Sequence, residues 1–314
     1  MSVRLAIAEA AERLDDAGCA SPRVDAELLA QHALSLSRAE LLAAPERPLE
    51  PGEEQRLAAS LERRCAREPL AYILGEWDFR RISLRVCPDV LVPRPETEQL
   101  VERCLERLAG LDQPSVLDIG TGSGAIALAV VDEHPGARVV ATDCSVAALA
   151  VARGNAQRLG LTERVELVQG DLVAGAAGPF DLVVSNPPYV SAAELADLEP
   201  EVARFEPRGA LVGEGFHGRI ADAAAPVMAE DAWLLLECGD GQICVNGNCG
   251  GCDEVGCPAG RVCMQGACAP DPCDGVDCSR GEICRPNLDG VGECVDTCST
   301  LSCPLRQSCV DGRC

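Results

Sequence analysis

Residues 115–131 read SVLDIGTGSGAIALAVV, in which a short apolar run leads through three glycines into a longer apolar stretch. This order predicts a strand, a tight turn and a helix. Four more short apolar runs follow, separated by stretches of helical length and composition: RVVATD, RVELVQ, FDLVVS and AWLLLE. Strands that alternate with helices predict an α/β fold, with a doubly wound parallel sheet that helices cover on both faces.

The sequence before this region predicts helices. Residues 1 to about 85 contain four stretches with apolar residues at i, i+3, i+4 and i+7, separated by prolines: LAIAEAAERL, DAELLAQHAL, RAELLAA and EEQRLAASLERRCA. Such spacing predicts a small helical bundle. The alternating segment FRRISLRV, Phe79 to Val86, predicts a strand pair that joins the bundle to the core, and residues 90–108 pass through two prolines into another amphipathic helix.

Composition narrows the class of protein. The 314 residues are 47% hydrophobic, which excludes a disordered chain, and no uncharged apolar run approaches the ~18 residues that a membrane span needs. The 27 basic residues, all arginine, stand against 50 acidic ones and leave a net charge of −23, so we expect no direct nucleic-acid binding through phosphate contacts. Four acidic residues within the first 18 positions argue against a signal peptide and predict a cytoplasmic protein. His32, His134 and His217 do not cluster along the sequence, and we expect no metal site.

The cysteines are distributed unevenly along the chain, and the last 71 residues differ in composition from the rest. Six of the twenty lie in the first 243 residues, and fourteen lie in the last 71, where three complete units repeat the spacing C-x4-C-x5-C. Such density is typical of small secreted modules held by disulfides, and the tail resembles EGF-like repeats. Zinc binding is the disfavoured alternative, because the tail has no histidine and one C-x2-C pair.

The glycine turn, residues 120–124, lies at the carboxyl end of the first strand of the sheet. Glycines there permit a tight turn and let the backbone approach a ligand more closely than a Cβ would allow. The sequence also satisfies G-x-G-x-x-A, so a dinucleotide site competes with other nucleotide sites, and a turn without a ligand is a further alternative.

Two aspartates follow neighbouring strands. Asp143 ends the second strand, where a carboxylate can accept hydrogen bonds from both ribose hydroxyls of an adenosine; the alternative is a helix cap before Ser145. Asp171 follows the third strand in QGDL and is placed to approach an adenine, or is an ordinary turn residue. These two aspartates predict a site that binds a nucleoside, but they do not indicate which reaction takes place there.

The segment Ser185-Asn186-Pro187-Pro188-Tyr189 follows the fourth strand. Two prolines remove two backbone donors, which leaves carbonyl oxygens beside one amide side chain and one aromatic ring. A planar amide or exocyclic amine can donate to the Asn186 side-chain oxygen and the Pro187 carbonyl while Tyr189 packs on its face. A rigid turn without a ligand is the alternative, but ligands in open α/β sheets bind at such strand ends.

In this order and spacing, LDIGTGSGAIAL, ATD, QGD and SNPPYV resemble a class I, Rossmann-like S-adenosylmethionine-dependent methyltransferase with the NPPY segment of enzymes that methylate planar nitrogens. The upstream block REPLAYILGEWDFRRISLRVCPDVLVPRPETEQLVE, behind a helical bundle, resembles the peptide chain release factor glutamine methyltransferase family, over residues 1 to about 242. That family uses its helical domain to dock the release factor and methylates the glutamine of the GGQ loop.

The resemblance implies roles for particular residues. Cofactor contact would involve the glycine turn, Asp143 on the ribose, Asp171 and Leu172 beside the adenine, and Asn186. The turn contributes Gly120, Thr121, Gly122, Ser123 and Gly124. The substrate glutamine would be held, and aligned for catalysis, by the NPPY segment: Asn186, Pro187, Pro188 and Tyr189. We expect four parts of the chain: a release-factor-binding helical domain at 1–77, a β-hairpin and connecting helix at 78–113, the methyltransferase domain at 114–237 and the cysteine-rich tail at 238–314.

The sequence departs from the family after residue 237. The family continues LLLE with a GxGQ segment, a helix and two more strands, whereas LLLECGDGQ runs here directly into the cysteine repeats. We therefore expect a sheet without its C-terminal strands, joined to an unrelated repeat by a genuine fusion or by an artefact of the sequence record. An unpaired apolar edge of this kind would place activity in question.

Three functions compete at this stage. The favoured one is methylation of the release factor glutamine with S-adenosylmethionine. The second is another NPPY nitrogen methyltransferase that acts on DNA, RNA or a ribosomal protein, which would need a local basic face in an acidic chain. The third is an inactive fusion in which the tail is a secreted binding module.

Overall fold

The computed structural model describes residues 1–213 and 215–238, together with the backbone of five short strands further on, at 243–245, 261–264, 267–270, 282–286 and 292–296. The chain forms two compact units, Met1–Gly241 and Gln242–Cys314. Within the described residues, no helix is both long enough and apolar enough to span a membrane.

The first unit begins with the predicted helical bundle, whose five helices are α1 (Val3–Asp16), α2 (Pro22–Leu34), α3 (Arg38–Ala43), α4 (Pro51–Cys65) and α5 (Leu70–Leu74). Local sequence sets where they begin: the Ser2 hydroxyl accepts from Leu5 N, Ser37 and Glu40 form a capping box, and prolines open α2 and α4. The apolar faces of the helices meet in one buried core.

A hairpin joins the bundle to the sheet. Its strands are β1 (Glu76–Phe79) and β2 (Ile82–Arg85), which pair antiparallel. The predicted strand pair is confirmed, but it begins at Glu76 rather than at Phe79. The segment Phe79–Val86 contains the turn at Arg80 and Arg81 and only the second strand in full. Asn155 fastens the hairpin to the sheet domain, since its side chain accepts from Arg85 N at 2.7 Å and donates to Ser123 O at 2.9 Å.

The predicted parallel sheet is also confirmed. After α6 (Pro95–Leu108), the strands β3 (Ser115–Ile119), β4 (Arg138–Asp143), β5 (Val165–Gln169), β6 (Phe180–Ser185) and β7 (Met228–Glu237) alternate with helices that include α7 (Ala125–Glu133) and α8 (Val146–Leu159). Within the first unit their order is β5-β4-β3-β6-β7, all parallel. The chain leaves β3 in one direction and returns on its other side at β6, so a crevice forms where the carboxyl ends of these strands diverge.

The connection from β6 to β7 lies over this end of the sheet. It contains three helices, α9 (Pro200–Phe205), α10 (Arg208–Leu211) and α11 (Phe216–Ala224). Residues 191–212 of this connection are fastened by ion pairs at two points. Arg64 and Arg67 of the bundle region bind Glu201, and Arg94 binds Glu206 with both Oε atoms at 2.7 Å.

In the second unit, the strands β8 (Ile243–Val245), β9 (Arg261–Met264), β10 (Ala267–Pro270), β11 (Glu282–Pro286) and β12 (Gly292–Asp296) are described by their backbone. β9 pairs with β10 and β11 with β12, both antiparallel, with Cys263 opposite Cys268 and Cys284 opposite Cys294. The predicted disulfides, the EGF-like character of the tail and the missing C-terminal strands depend on residues outside those described, and they stay predictions.

Candidate active site

A cavity of about 380 Å³ lies at the carboxyl ends of β3, β4 and β6. That volume falls within the range of small-molecule sites. The predicted site residues that line it come from four separate segments: Gly120, Thr121, Gly122, Ser123, Asp143, Asp171, Leu172, Asn186, Pro187 and Pro188. Gly124 and Tyr189 were predicted with them but are not among the lining residues, and the Tyr189 side chain is exposed.

The three glycines of the turn have different roles. Gly120, Gly122 and Gly124 all have positive φ, at +74°, +56° and +84°, which residues with a Cβ rarely adopt. A Cβ on Gly120 or Gly122 would meet no protein atom within 4 Å, whereas one on Gly124 would lie 2.9 Å from Leu128 Cδ1. The first two glycines therefore keep space open beside the cavity, and Gly124 allows α7 to begin directly after the turn.

Most N–H groups of the turn are used inside the protein. Gly120 N and Thr121 N donate to Thr142 O at 2.8 and 3.0 Å, Gly122 N donates to Asp143 Oδ2 at 2.9 Å, and Gly124 N donates to Thr121 O. These bonds fix the turn against β4. What the glycines offer a ligand is close approach rather than a set of free backbone donors.

Asp143 is not the cap of α8, because that position is taken by Ser145, and its contact with a ribose stays a prediction. Its Oδ1 accepts from Ser145 N at 2.8 Å, and Ser145 in turn caps α8 by accepting from Ala148 N. Its Oδ2 accepts from Gly122 N. A carboxylate has about four lone-pair positions, so two bonds to the backbone leave capacity for two ribose hydroxyls. The backbone bonds hold the carboxylate in place at the edge of the cavity.

The loop after β5 is held in an unusual backbone conformation. Leu172 has φ of +53°, and its carbonyl accepts from the Thr142 hydroxyl at 2.7 Å. Gly170 N donates to Asp143 O at 3.1 Å, which brings the loop to the end of β4. Asp171 is exposed and lies 3.4 Å from Arg219 Nη2. Contact of Asp171 and Leu172 with an adenine stays a prediction.

Asn186 extends from the end of β6 into the cavity lining. The preceding Ser185 hydroxyl donates to Ile119 O at 2.7 Å and so joins the ends of β6 and β3. Asn186 Nδ2 donates to Thr97 Oγ1 at 3.1 Å. Because the amide nitrogen is engaged, the Asn186 side-chain oxygen is the atom available to accept from a ligand.

Two residues of this site were not predicted. Thr97, from α6, is 4% exposed and donates its hydroxyl proton to Glu237 Oε2 at 2.7 Å; Glu237, at the end of β7, is 3% exposed. Burial raises the pKa of Glu237, and the Thr97 hydrogen bond and the nearby Asn186 amide oppose that rise. Both residues lie in the quoted blocks PRPETE and LLLE, but neither block shows that they meet.

Asp118 was not singled out either. It is fully buried at the end of β3, where its Oδ2 accepts from the Thr121 hydroxyl at 2.7 Å. Burial raises the pKa of Asp118 to about 7, and the nearby Asp143 contributes in the same direction. Asp118 therefore stabilises the glycine turn through its hydrogen bond with Thr121 and does not line the cavity.

The fold and this site define a class I S-adenosylmethionine-dependent methyltransferase. Family models for a PrmC N-terminal domain and a methyltransferase small domain match residues 6–75 and 97–201. The release factor glutamine methyltransferase of Rhodospirillum rubrum is 47% identical over 235 residues, which cover 73% of this chain and 72% of that relative. The Deinococcus radiodurans enzyme is 44% identical, and the match covers 75% of this chain and 83% of that relative. The Bordetella pertussis enzyme is 52% identical, and the match covers 62% of this chain and 71% of that relative. The chain belongs to the release factor glutamine methyltransferase family.

Proposed function

We propose that this protein methylates the side-chain amide nitrogen of the glutamine in the GGQ loop of peptide chain release factors. The observation that carries the proposal is the position of Asn186 and Pro187. They follow β6 at the switch point of the sheet and line the same cavity as the glycine turn and Asp143. A donor amide bound by the NPPY segment thus lies beside a nucleoside bound at β3 and β4.

The residues present fit S-adenosylmethionine. The open space beside Gly120 and Gly122 accommodates a ligand that a Cβ would exclude, and Asp143 offers acceptor capacity for the ribose hydroxyls. Asp171 and Leu172 would lie beside the adenine. When bound, the cofactor supplies an electrophilic methyl group on a sulfonium sulfur.

The protein contributes alignment. Asn186 Oδ1 and the Pro187 carbonyl accept the two protons of the substrate NH2 group, and the exposed Tyr189, which lies outside the cavity lining, would have to turn toward the cavity to pack on the flat face of the amide. An amide nitrogen is a weak nucleophile, so holding it in line with the methyl group supplies most of the catalysis. After transfer has begun, the proton held at Asn186 Oδ1 passes to water, so the site needs no strong general base.

The helical bundle, residues 1–77, is the part proposed to dock the release factor. Its position supports this role, because Arg64, at the end of α4, binds Glu201 Oε1 at 2.8 Å and Arg67 binds the same carboxylate at 2.6 Å. Glu201 lies in the connection that follows the NPPY segment. A partner that docks on the bundle is thus held next to the segment that covers the site.

The test uses the full chain, S-adenosylmethionine with a labelled methyl group, and three substrates: a purified release factor, adenine-containing DNA and RNA, and ribosomal protein. We expect one methyl group on the glutamine of the GGQ peptide, located by mass spectrometry, and no label on a release factor with that glutamine changed to alanine. Label on nucleic acid or ribosomal protein alone would overturn the proposal in favour of the second function. Binding of the cofactor with no transfer to any substrate would favour the inactive fusion.

A further inference from the structure

Three side chains from distant parts of the chain form a line of hydrogen bonds at the wall of the cavity. Asn186 Nδ2 donates to Thr97 Oγ1 at 3.1 Å, and Thr97 Oγ1 donates to Glu237 Oε2 at 2.7 Å. The partners are separated by 89 and 140 residues in sequence: Thr97 lies in α6, Glu237 ends β7, and Asn186 directly follows β6. We call these three residues the Thr97 network.

The network has a direction. A threonine hydroxyl carries one proton, and here the Glu237 carboxylate accepts it, so the lone pairs of Thr97 Oγ1 can only accept. The amide NH2 of Asn186 is the donor that matches them. The same logic excludes the reversed amide, because Asn186 Oδ1 would then face a hydroxyl oxygen whose proton is already committed to Glu237.

We infer that Thr97 and Glu237 are positioning residues that orient the Asn186 amide, so that Oδ1 rather than Nδ2 faces the substrate NH2. The inference rests on the proposed function. With the amide reversed, Asn186 would present a donor to the donor of the substrate, and one of the two acceptors that align the glutamine would be lost. The network thus determines whether the NPPY segment can recognise an amide.

Glu237 is held on several sides. Its backbone carbonyl lies 2.9 Å from His217 Nε2 of α11, which fixes the end of β7. Its carboxylate is close enough to Glu96 for that residue to raise its pKa and close enough to Arg94 for that residue to lower it. Replacing Glu237 with glutamine keeps the size of the side chain but adds a donor that can turn the Thr97 hydroxyl toward Asn186. Glu237→Gln is therefore the variant that can reverse the network without emptying the space.

The first experiment compares Thr97→Val with Thr97→Ser in methyl transfer to the release factor. Valine keeps the shape but removes the hydroxyl, and we expect kcat to fall by about tenfold, the equivalent of one hydrogen bond, with KM for S-adenosylmethionine unchanged. Serine keeps the hydroxyl and should restore kcat to within about twofold. In an Asn186→Ala background, Thr97→Val should cause no further loss, because Thr97 acts through Asn186. Additive losses would overturn the inference.

The second experiment needs no turnover. The side-chain NH2 of Asn186 is observed by ¹⁵N NMR in the full chain, with its signal assigned by its absence in Asn186→Asp. We expect its protons to exchange with water at least about tenfold faster in Thr97→Val and Glu237→Gln than in the wild type and Thr97→Ser. Unchanged exchange in both variants would overturn the inference. A wild type that shows protected exchange but does not methylate release factors would contradict the proposed function alone.

Discussion

On the side of the cavity formed by the glycine turn, the hydrogen bonds that hold the site connect residues 21 and 30 positions apart, Gly122 with Asp143 and Thr142 with Leu172. On the side formed by the NPPY segment, the corresponding bonds connect residues 89 and 140 positions apart. Each of the first two bonds joins one side chain to a backbone group near the ends of adjacent strands: the Asp143 carboxylate accepts from Gly122 N, and the Thr142 hydroxyl donates to Leu172 O. The second side uses side chains that meet because α6 packs against β6 and β7.

This difference separates two ways of building one site. Most hydrogen bonds of the glycine turn join backbone groups, so the turn should tolerate changes at most positions, with Asp143, whose carboxylate accepts from Gly122 N, as the exception. A line of side chains depends on every member, since loss of one leaves a buried partner unsatisfied. Single substitutions should therefore affect methyl transfer most on the NPPY side and cofactor affinity most on the glycine-turn side.

The largest effect is expected for Asn186→Ala, which removes the side-chain acceptor on the NPPY side, keeps the Pro187 carbonyl and leaves the glycine turn intact. We expect kcat to fall by about 10²- to 10³-fold, as when one preorganised catalytic hydrogen bond is removed. The affinity for S-adenosylmethionine, measured by calorimetry, should change by less than about tenfold. If only the affinity for the cofactor fell, Asn186 would belong functionally with the glycine turn, and the proposed division between the two sides would be wrong.

Asp143→Ala tests the other side. We expect a loss of about 10- to 100-fold in cofactor affinity, because the two charge-assisted hydrogen bonds proposed between Asp143 and the ribose hydroxyls would be lost together with the contact to Gly122 N. Turnover at saturating cofactor should fall much less. Asp132→Ala is the matched control, since Asp132 is an exposed aspartate on α7 away from the cavity lining. An equal fall in turnover at saturating cofactor would show that the two sides are not independent.

Asp118 gives the glycine-turn side a pH dependence. Its pKa is about 7 in the folded protein, above the ordinary value of 3.8, so the folded state binds this proton more tightly than the unfolded state. The contribution of Asp118 to stability is therefore present at low pH and lost as the pH rises toward 7. Asp118→Asn removes the titrating carboxyl. We therefore expect the unfolding free energy of the variant, relative to that of the wild type, to be about 2 kcal/mol higher at pH 7 than at pH 5. Denaturant curves at the two pH values measure this gain, and a constant difference between the proteins would refute it.

The smallest effect concerns the contact between the bundle and the connection after the NPPY segment. Glu201 binds Arg64 and Arg67 in a partly buried cluster, whereas Glu199 is exposed and binds Arg67 alone at 3.1 Å. We expect Glu201→Gln to lower the unfolding free energy by about 1 kcal/mol and Glu199→Gln by less than about 0.5 kcal/mol. Urea unfolding of the matched pair measures both. Equal losses of unfolding free energy in the two variants would show that the Glu201 ion pairs are no stronger than a surface ion pair.

Much of the fold could be predicted because its signals are local. Apolar runs gave the five strands of the sheet in the first unit, and helical spacing gave the bundle. The hairpin was located less well, since the alternating pattern of Phe79–Val86 does not reveal the turn at Arg80 and Arg81. The motifs and the family resemblance also placed Gly124 and Tyr189 at the site, but neither residue is among those that line the cavity, and a Cβ on Gly124 would lie against Leu128 of α7.

The sequence by itself determined the parallel sheet, the turn with positive φ at three glycines and the donor-free prolines after β6, because strand periodicity and the backbone limits of glycine and proline act within a few residues. Only the tertiary structure decided that Thr97 and Glu237 meet Asn186, and that the backbone donors of the glycine turn are mostly used within the protein. Contacts across 89 and 140 residues depend on how helices and strands pack, and no local pattern records which hydroxyl will face which carboxylate.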